Sequence, residues 1–355
     1  MKRFAMPLIG ALTAIISLTL VEYGNPANMG FCVACFLRDT AGAVGLHSAA
    51  TVQYVRPEVI GIVLGAFIFS VVRKEFSPRG GSAPVSRFVL GFALMIGALI
   101  FLGCPLRMMI RVAGGDLNAI IGLVGFAAGI LGGAFFLSKG YTLKRTYEIA
   151  KTDGFLMPVA AMVMLGLLVI VPSVLAFSEA GPGSMRAPVW MALAAGVIMG
   201  AIGFASRLCF VAGIRDSVLF RHFSMLSAFI ALIVVIFAGN LVLGNFSPGF
   251  ESQPVAHTDG AWNFLGMTLV GLCSVLLGGC PFRQVVLAGS GNSDSTVAVL
   301  GMIAGAAFAH NFNMASSAAG ATGNGKTGFA IVFAIVIFIA VYNTFGRKKA
   351  SVSGE

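Results

Sequence analysis

Charged side chains are scarce in this chain. Asp, Glu, Lys and Arg make up 10% of its 355 residues, against roughly 25% in a soluble domain. A surface that poor in charge does not face water, which excludes a soluble globular protein. Several common signatures of chemistry are missing too. There is no Walker A loop, no zinc-binding pair of histidines and no G-x-S-x-G elbow, so nucleotide, zinc-hydrolase and serine-esterase chemistry have no motif to rest on. The six cysteines form no zinc-ribbon spacing, and a disulfide scaffold does not suit so apolar a chain. No metal and no cofactor is expected. After Met1-Lys2-Arg3 an apolar stretch runs to about Val21 without a small-x-small cleavage site. It reads as a retained first helix, not a cleaved signal.

What the chain has instead is hydrophobic length. Hydrophobic residues make up 58% of it, with several runs of about 18 or more, the length that spans a bilayer as a helix. Spans are expected at 4–22, 57–73, 85–102, 117–137, 155–177, 188–206, 223–243, 262–278, 296–313 and 328–345. The fold class is therefore an all-α polytopic membrane protein with about ten full spans. The 46 glycines suit close helix packing and broken helices.

The net charge of +10 reads as membrane orientation and not as a nucleic-acid surface. Basic residues collect in four clusters: Lys2/Arg3, Arg73/Lys74/Arg79/Arg87, Lys139/Lys144/Arg145/Lys151 and Arg347/Lys348/Lys349. With both termini cytoplasmic, all four fall inside, as the positive-inside rule requires.

Four segments interrupt this pattern: GFCVACFLRD (30–39), GCPLRMMIRVAGGD (103–116), RLCFVAGIRD (207–216) and GCPFRQVVLAGSGN (279–292). Each is too short to span and carries Cys, Arg or Asp, the mark of a re-entrant or buried piece. They repeat in pairs. Cys32, Arg38 and Asp39 recur as Cys209, Arg215 and Asp216, shifted by 177; Cys104, Pro105, Arg107 and Gly115 recur as Cys280, Pro281, Arg283 and Gly291, shifted by 176. The chain thus divides into a first repeat (1–150), a linking helix (151–180), a second repeat (181–315) and a final helix with a basic tail (316–355). An odd number of crossings separates the repeats, so the second is inverted. Inverted repeats with paired re-entrant half-helices are a transporter architecture. A mere duplication relic is a poor explanation, because an arginine at membrane depth costs about 2.5–3.5 kcal/mol even on lenient scales.

Within the motifs, Gly-Cys-Pro-x-Arg reads as the start of a half-helix. Proline suits its first turn, and the free N–H groups and positive dipole there favour anions. Arg107 and Arg283 add a cation one turn on. The thiols of Cys32, Cys35, Cys104, Cys209 and Cys280 offer weak donors and a soft surface that suits a sulfur or selenium anion. Cys273, seven residues before Cys280, is expected on the same pore face. Arg38–Asp39 and Arg215–Asp216 read as structural ion pairs. Gly115 and Gly291 read as turns that end one short helix before an Asp or Asn caps the next. His310 reads as a satisfied packing residue. Cys32-x-x-Cys35 leaves an alternative open, a membrane thiol-disulfide oxidoreductase or sulfur- or selenium-transfer enzyme. Only its first cysteine is duplicated, since Ala212 stands where Cys35 would recur.

At these motifs, GFCVACFLRD and GGCPFRQVVLAGSGNSDS above all, the sequence resembles the YeeE/YedE family of sulfur-compound membrane transporters, in particular the YedE-type branch proposed to act in selenium metabolism. The resemblance implies an hourglass-like protein of the bacterial inner membrane that passes thiosulfate or a related ion along a line of cysteines. Here these would be Cys32 or Cys35, Cys104 and Cys280, with Cys209 added by the internal repeat. It also implies a cytoplasmic sulfurtransferase-like partner.

Overall fold

The computed structural model describes residues 5–346. The basic clusters at Lys2/Arg3 and Arg347/Lys348/Lys349 lie outside the described residues. Helices stand at all ten expected spans: α1 (Ala5–Glu22), α3 (Pro57–Val72), α4 (Pro84–Phe101), α6 (Leu117–Ser138), α8 (Leu156–Ile170), α9 (Val189–Ser206), α11 (Ser224–Leu243), α12 (Gly260–Leu277), α14 (Ser293–Asn311) and α15 (Gly323–Val341). The four Cys-bearing segments form short helices: α2 (Val33–Ala43), α5 (Pro105–Ala113), α10 (Ala212–Phe220) and α13 (Pro281–Gly289). A single turn, α7 (Lys151–Gly154), completes the series. The one described ladder is the two-residue pair β1 (Arg79–Gly80) and β2 (Tyr147–Glu148). The protein is all-α and polytopic.

Seven helical segments are long and apolar enough to cross a membrane, counting α4 with α5 and α12 with α13 as continuous stretches. Helices α3 and α8 are apolar but shorter. Helix α14 is 19 residues long and falls outside the seven. Its first turn is Ser293-Asp294-Ser295-Thr296, and those polar groups dilute an otherwise apolar helix.

The order long, short, long, long, short, long occurs twice, over 5–138 and 189–311. The two series interlock. Helix α3 packs on α9 while α11 packs on α1; α6 packs on α12 while α14 packs on α4; α4 and α12 meet at the centre. Each pairing in one direction thus has its counterpart with the series exchanged. The connecting loops follow the same rule. Ser77 donates to the Ser290 carbonyl at the end of α13, and Ser247 donates to the Gly114 carbonyl at the end of α5.

Glycine sets how closely these helices approach. A Cβ on Gly129 of α6 would overlap the Thr268 carbonyl oxygen of α12. Gly129→Val must push the two helices apart, and overpacking of this kind typically costs 1–3 kcal/mol. The variant is expected to melt at a clearly lower temperature in detergent than the parent; an unchanged melting curve would contradict this packing.

Candidate functional site: two thiol cradles

Each short helix begins at or just after a cysteine, for local reasons. Cys104 and Cys280 are extended (ψ 172° and 170°) and precede a proline at the first helical position. Proline holds φ near the helical value and lacks the N–H that a first turn leaves unpaired anyway. Cys32 caps α2, its sulfur accepting from the Cys35 N–H at 3.4 Å. Helix α10 starts later, three residues after Cys209. The short helices end alike as well. Gly115 and Gly291 adopt φ of +98° and +97°, a region open to glycine and strained for other residues. Asp116 and Asn292 then cap the following helices, accepting from Asn118 and Ser295 N–H groups, both at 2.9 Å.

Folding brings these helix starts together in pairs. The Cys104 thiol lies within hydrogen-bonding reach of the Cys32 thiol and faces the backbone N–H groups of Arg107 and Ala34. Cys35 lies beside Cys32, and Arg107 Nη1 donates to its sulfur at 3.5 Å. In the second series Cys209 and Cys280 are partners in the same way. Cys280 faces the N–H groups of Arg283 and Phe210, and Cys209 faces those of Val211 and Ala212. Each cradle is thus a contact between thiols where two helix starts converge. All five sulfurs are buried and free. N–H groups at a helix start carry partial positive charge, so the local field in each cradle favours negative charge.

The two arginines of the duplicated motif are not equivalent. Arg107 is fully buried. It donates from Nε to the Asn28 carbonyl (3.1 Å), from Nη2 to the Val255 carbonyl (2.9 Å), and from Nη1 to the Leu102 carbonyl. Arg283 is only partly buried, with one bond, Nη1 to the Gly203 carbonyl at 3.2 Å. Neither forms an ion pair among the described residues.

The Arg-Asp pairs diverge as well. Arg38 and Asp39 meet at 2.6 Å in full burial. Arg56 joins them, its Nε 2.8 Å from Asp39, while its Nη groups donate to the Met185 and Pro182 carbonyls. Arg215 and Asp216 meet at 2.8 Å, with side chains 23% and 20% exposed.

Three features differ from sequence expectation or escaped it. Cys273 does not share the cradle of Cys280. It is buried in α12 with no cysteine beside it, since the left-handed Gly278 (φ +82°) breaks the helical register between the two. His310 packs, but it is not satisfied: its ring stacks on His47 with centroids 4.6 Å apart, and its buried Nε2 has no partner among the described residues. Arg111 and Asp116 form a fully buried pair at 2.7 Å inside the second motif. Leu287 and Asn292 occupy the matching positions, so a search for repeated residues passes over this pair. The available signal was Arg and Asp five residues apart around a turn. No group of His, Cys, Asp and Glu among the described residues is arranged to hold a metal.

Residues 205–349 match the family model described as Sulphur transport. Over that stretch, the chain is similar to the sulphur-transport family. The match contains the whole second cradle, α11 to α14 and the final helix. A search of curated proteins returned no match. The first cradle lies outside the matched segment and is tied to it by the duplicated motif and the exchanged packing.

Proposed function

We propose that this protein takes up a small sulfur- or selenium-containing anion, such as thiosulfate or a selenium analogue, across the bacterial inner membrane, passing it between the two cradles. The observation that carries the reading is the meeting of Cys32 with Cys104 and of Cys209 with Cys280 at converging helix starts. In the proposed orientation both termini are cytoplasmic, the second series is inverted, and the short helices are re-entrant. The first cradle then receives the ion from outside and the second delivers it inward, to a cytoplasmic sulfurtransferase-like acceptor. Backbone N–H groups and thiol S–H groups bind the ion; Arg283 adds a cation with N–H groups to spare. Each contact is weak, which suits conduction, because a site that passes an ion must also release it. Gly115, Gly291, Pro105 and Pro281 hold the backbone in the shape that exposes those donors. Arg38–Asp39 and Arg215–Asp216 are structural in this reading.

Uptake of labelled thiosulfate, sulfite, selenite and selenosulfate, measured side by side in cells expressing the protein, tests the reading; no uptake of any of them defeats it. The contact of Cys32 with Cys35 favours one competing reading, a thiol-disulfide or sulfur-transfer enzyme. For a transporter both thiols stay reduced during uptake. Rapid acid trapping and alkylation of cells is therefore expected to label Cys32 and Cys35 fully. A disulfide between them that forms and disappears with substrate would favour the enzyme.

A further inference from the structure

A cavity of about 250 Å³, with polar groups set among apolar ones such as Leu18, Val21 and Ile236, lies between α1, α5 and α11. Its floor carries Ser17, Asn240 and Ile110, all buried, and its mouth carries the exposed Asn245 and Ser247. The volume compares with roughly 30 Å³ per water in the liquid. It therefore accommodates a small anion with part of its hydration shell.

Two observations make this more than a gap. Ser17 is 2% exposed, and its hydroxyl has no hydrogen-bond partner among the described residues. Most serine hydroxyls in helices have a carbonyl four residues back to bond; an idle buried hydroxyl beside a cavity is free for a ligand. The second observation is charge. Asn28 and Pro254 line the cavity, and their carbonyl oxygens accept from Arg107 at 3.1 and 3.4 Å. Arg107 is buried, and no carboxylate pairs with it among the described residues. No carboxylate lines the cavity either. A buried guanidinium without a counter-ion makes nearby space positive, over a longer range than in water. Neutral hydroxyl and amide donors in a positive field select an oxyanion.

We infer that this cavity is a cysteine-free binding site for a small oxyanion, in which Ser17 and Asn240 hold the ion beside Arg107 before it meets the thiols. Its place in a transport sequence rests on the function proposed above; its ability to bind does not.

Equilibrium dialysis of labelled thiosulfate against the full chain in detergent tests this. A variant with Cys32, Cys35, Cys104, Cys209 and Cys280 all changed to alanine is expected to retain one saturable site. In that background Ser17→Ala should weaken binding roughly ten- to a hundredfold, the worth of one hydrogen bond to a charged ligand. Asn240→Leu, which fills the cavity, should abolish it, while Asn240→Ser, which leaves the cavity open, should retain it. The inference is overturned if the five-alanine chain shows no saturable site, or if Asn240→Leu binds as well as its parent. Wild-type protein that binds in the cavity but takes nothing up would sink the transport reading and leave this one standing. Uptake that survives Asn240→Leu unchanged would do the reverse.

Discussion

Cys104→Ala and Cys280→Ala are each expected to lower uptake of labelled thiosulfate by roughly ten- to a hundredfold at unchanged protein level. That range follows from losing one hydrogen bond to a charged group, about 1.5–3 kcal/mol, at 1.4 kcal/mol per decade. Each of these cysteines touches the other thiol of its cradle and faces two backbone N–H groups. Removing it leaves those donors in place but takes away the soft surface between them. The position itself tolerates the change, since alanine keeps the extended backbone before Pro105 or Pro281. Cys→Ser at the same positions keeps a donor but hardens it, and is expected to fall between the two. Cys273→Ala is the control. That residue is as buried as the others but has no thiol beside it, so uptake should be close to that of the parent. Uptake of every sulfur and selenium anion unaffected by both Cys104→Ala and Cys280→Ala would refute the cradle mechanism.

Asp39→Ala is expected to destabilise the protein by about 3–5 kcal/mol, the range for breaking a buried ion pair and stranding its cation. Two cations are stranded here. Arg38 and Arg56 both lean on this one carboxylate, and all three side chains are essentially inaccessible. Arg56 also ties α3 to the loop before α9 through the Pro182 and Met185 carbonyls, so its displacement loosens the packing of α3 on α9. Asp216→Ala removes the matching carboxylate of the second series. Its pair is partly open to solvent, and exposed pairs contribute about 0–1 kcal/mol. Thermal unfolding in detergent, followed by intrinsic fluorescence or aggregation, should therefore separate the two variants widely. Equal melting temperatures would show that Asp39 is not the keystone of its network.

The contrast between Asp39 and Asp216 also shows where sequence reasoning stops. Both lie in the same duplicated Arg-Asp sentence, and nothing local distinguishes them. Asp39 gains its second cation from Arg56, 17 residues on and across a loop. The second series provides no such partner among the described residues. Cys273 makes the same point in the opposite direction. Its spacing to Cys280 fits one helical face, yet a left-handed residue at Gly278 ends the helix between them. Arg107 and Arg283 match in sequence and differ in what reaches them. The loop after α11 brings the Val255 carbonyl to Arg107, while Arg283 has a single carbonyl from α9.

By itself the sequence determined the class and the punctuation. Hydrophobic length and missing charge dictate a membrane-spanning helical protein, because an unpaired backbone or unsolvated charge is too costly in hydrocarbon. Pro105, Pro281, Gly115 and Gly291 dictate where short helices start and stop, because φ restrictions act within one residue and need no partner. Only the tertiary structure decided which thiols meet. Cys32 and Cys104 stand 72 positions apart, as do Cys209 and Cys280 within one of that spacing. Their contact depends on how α2 and α5, or α10 and α13, are seated among helices exchanged between the two series. Such packing is a sum of many weak, shape-dependent contacts, and no single residue encodes it.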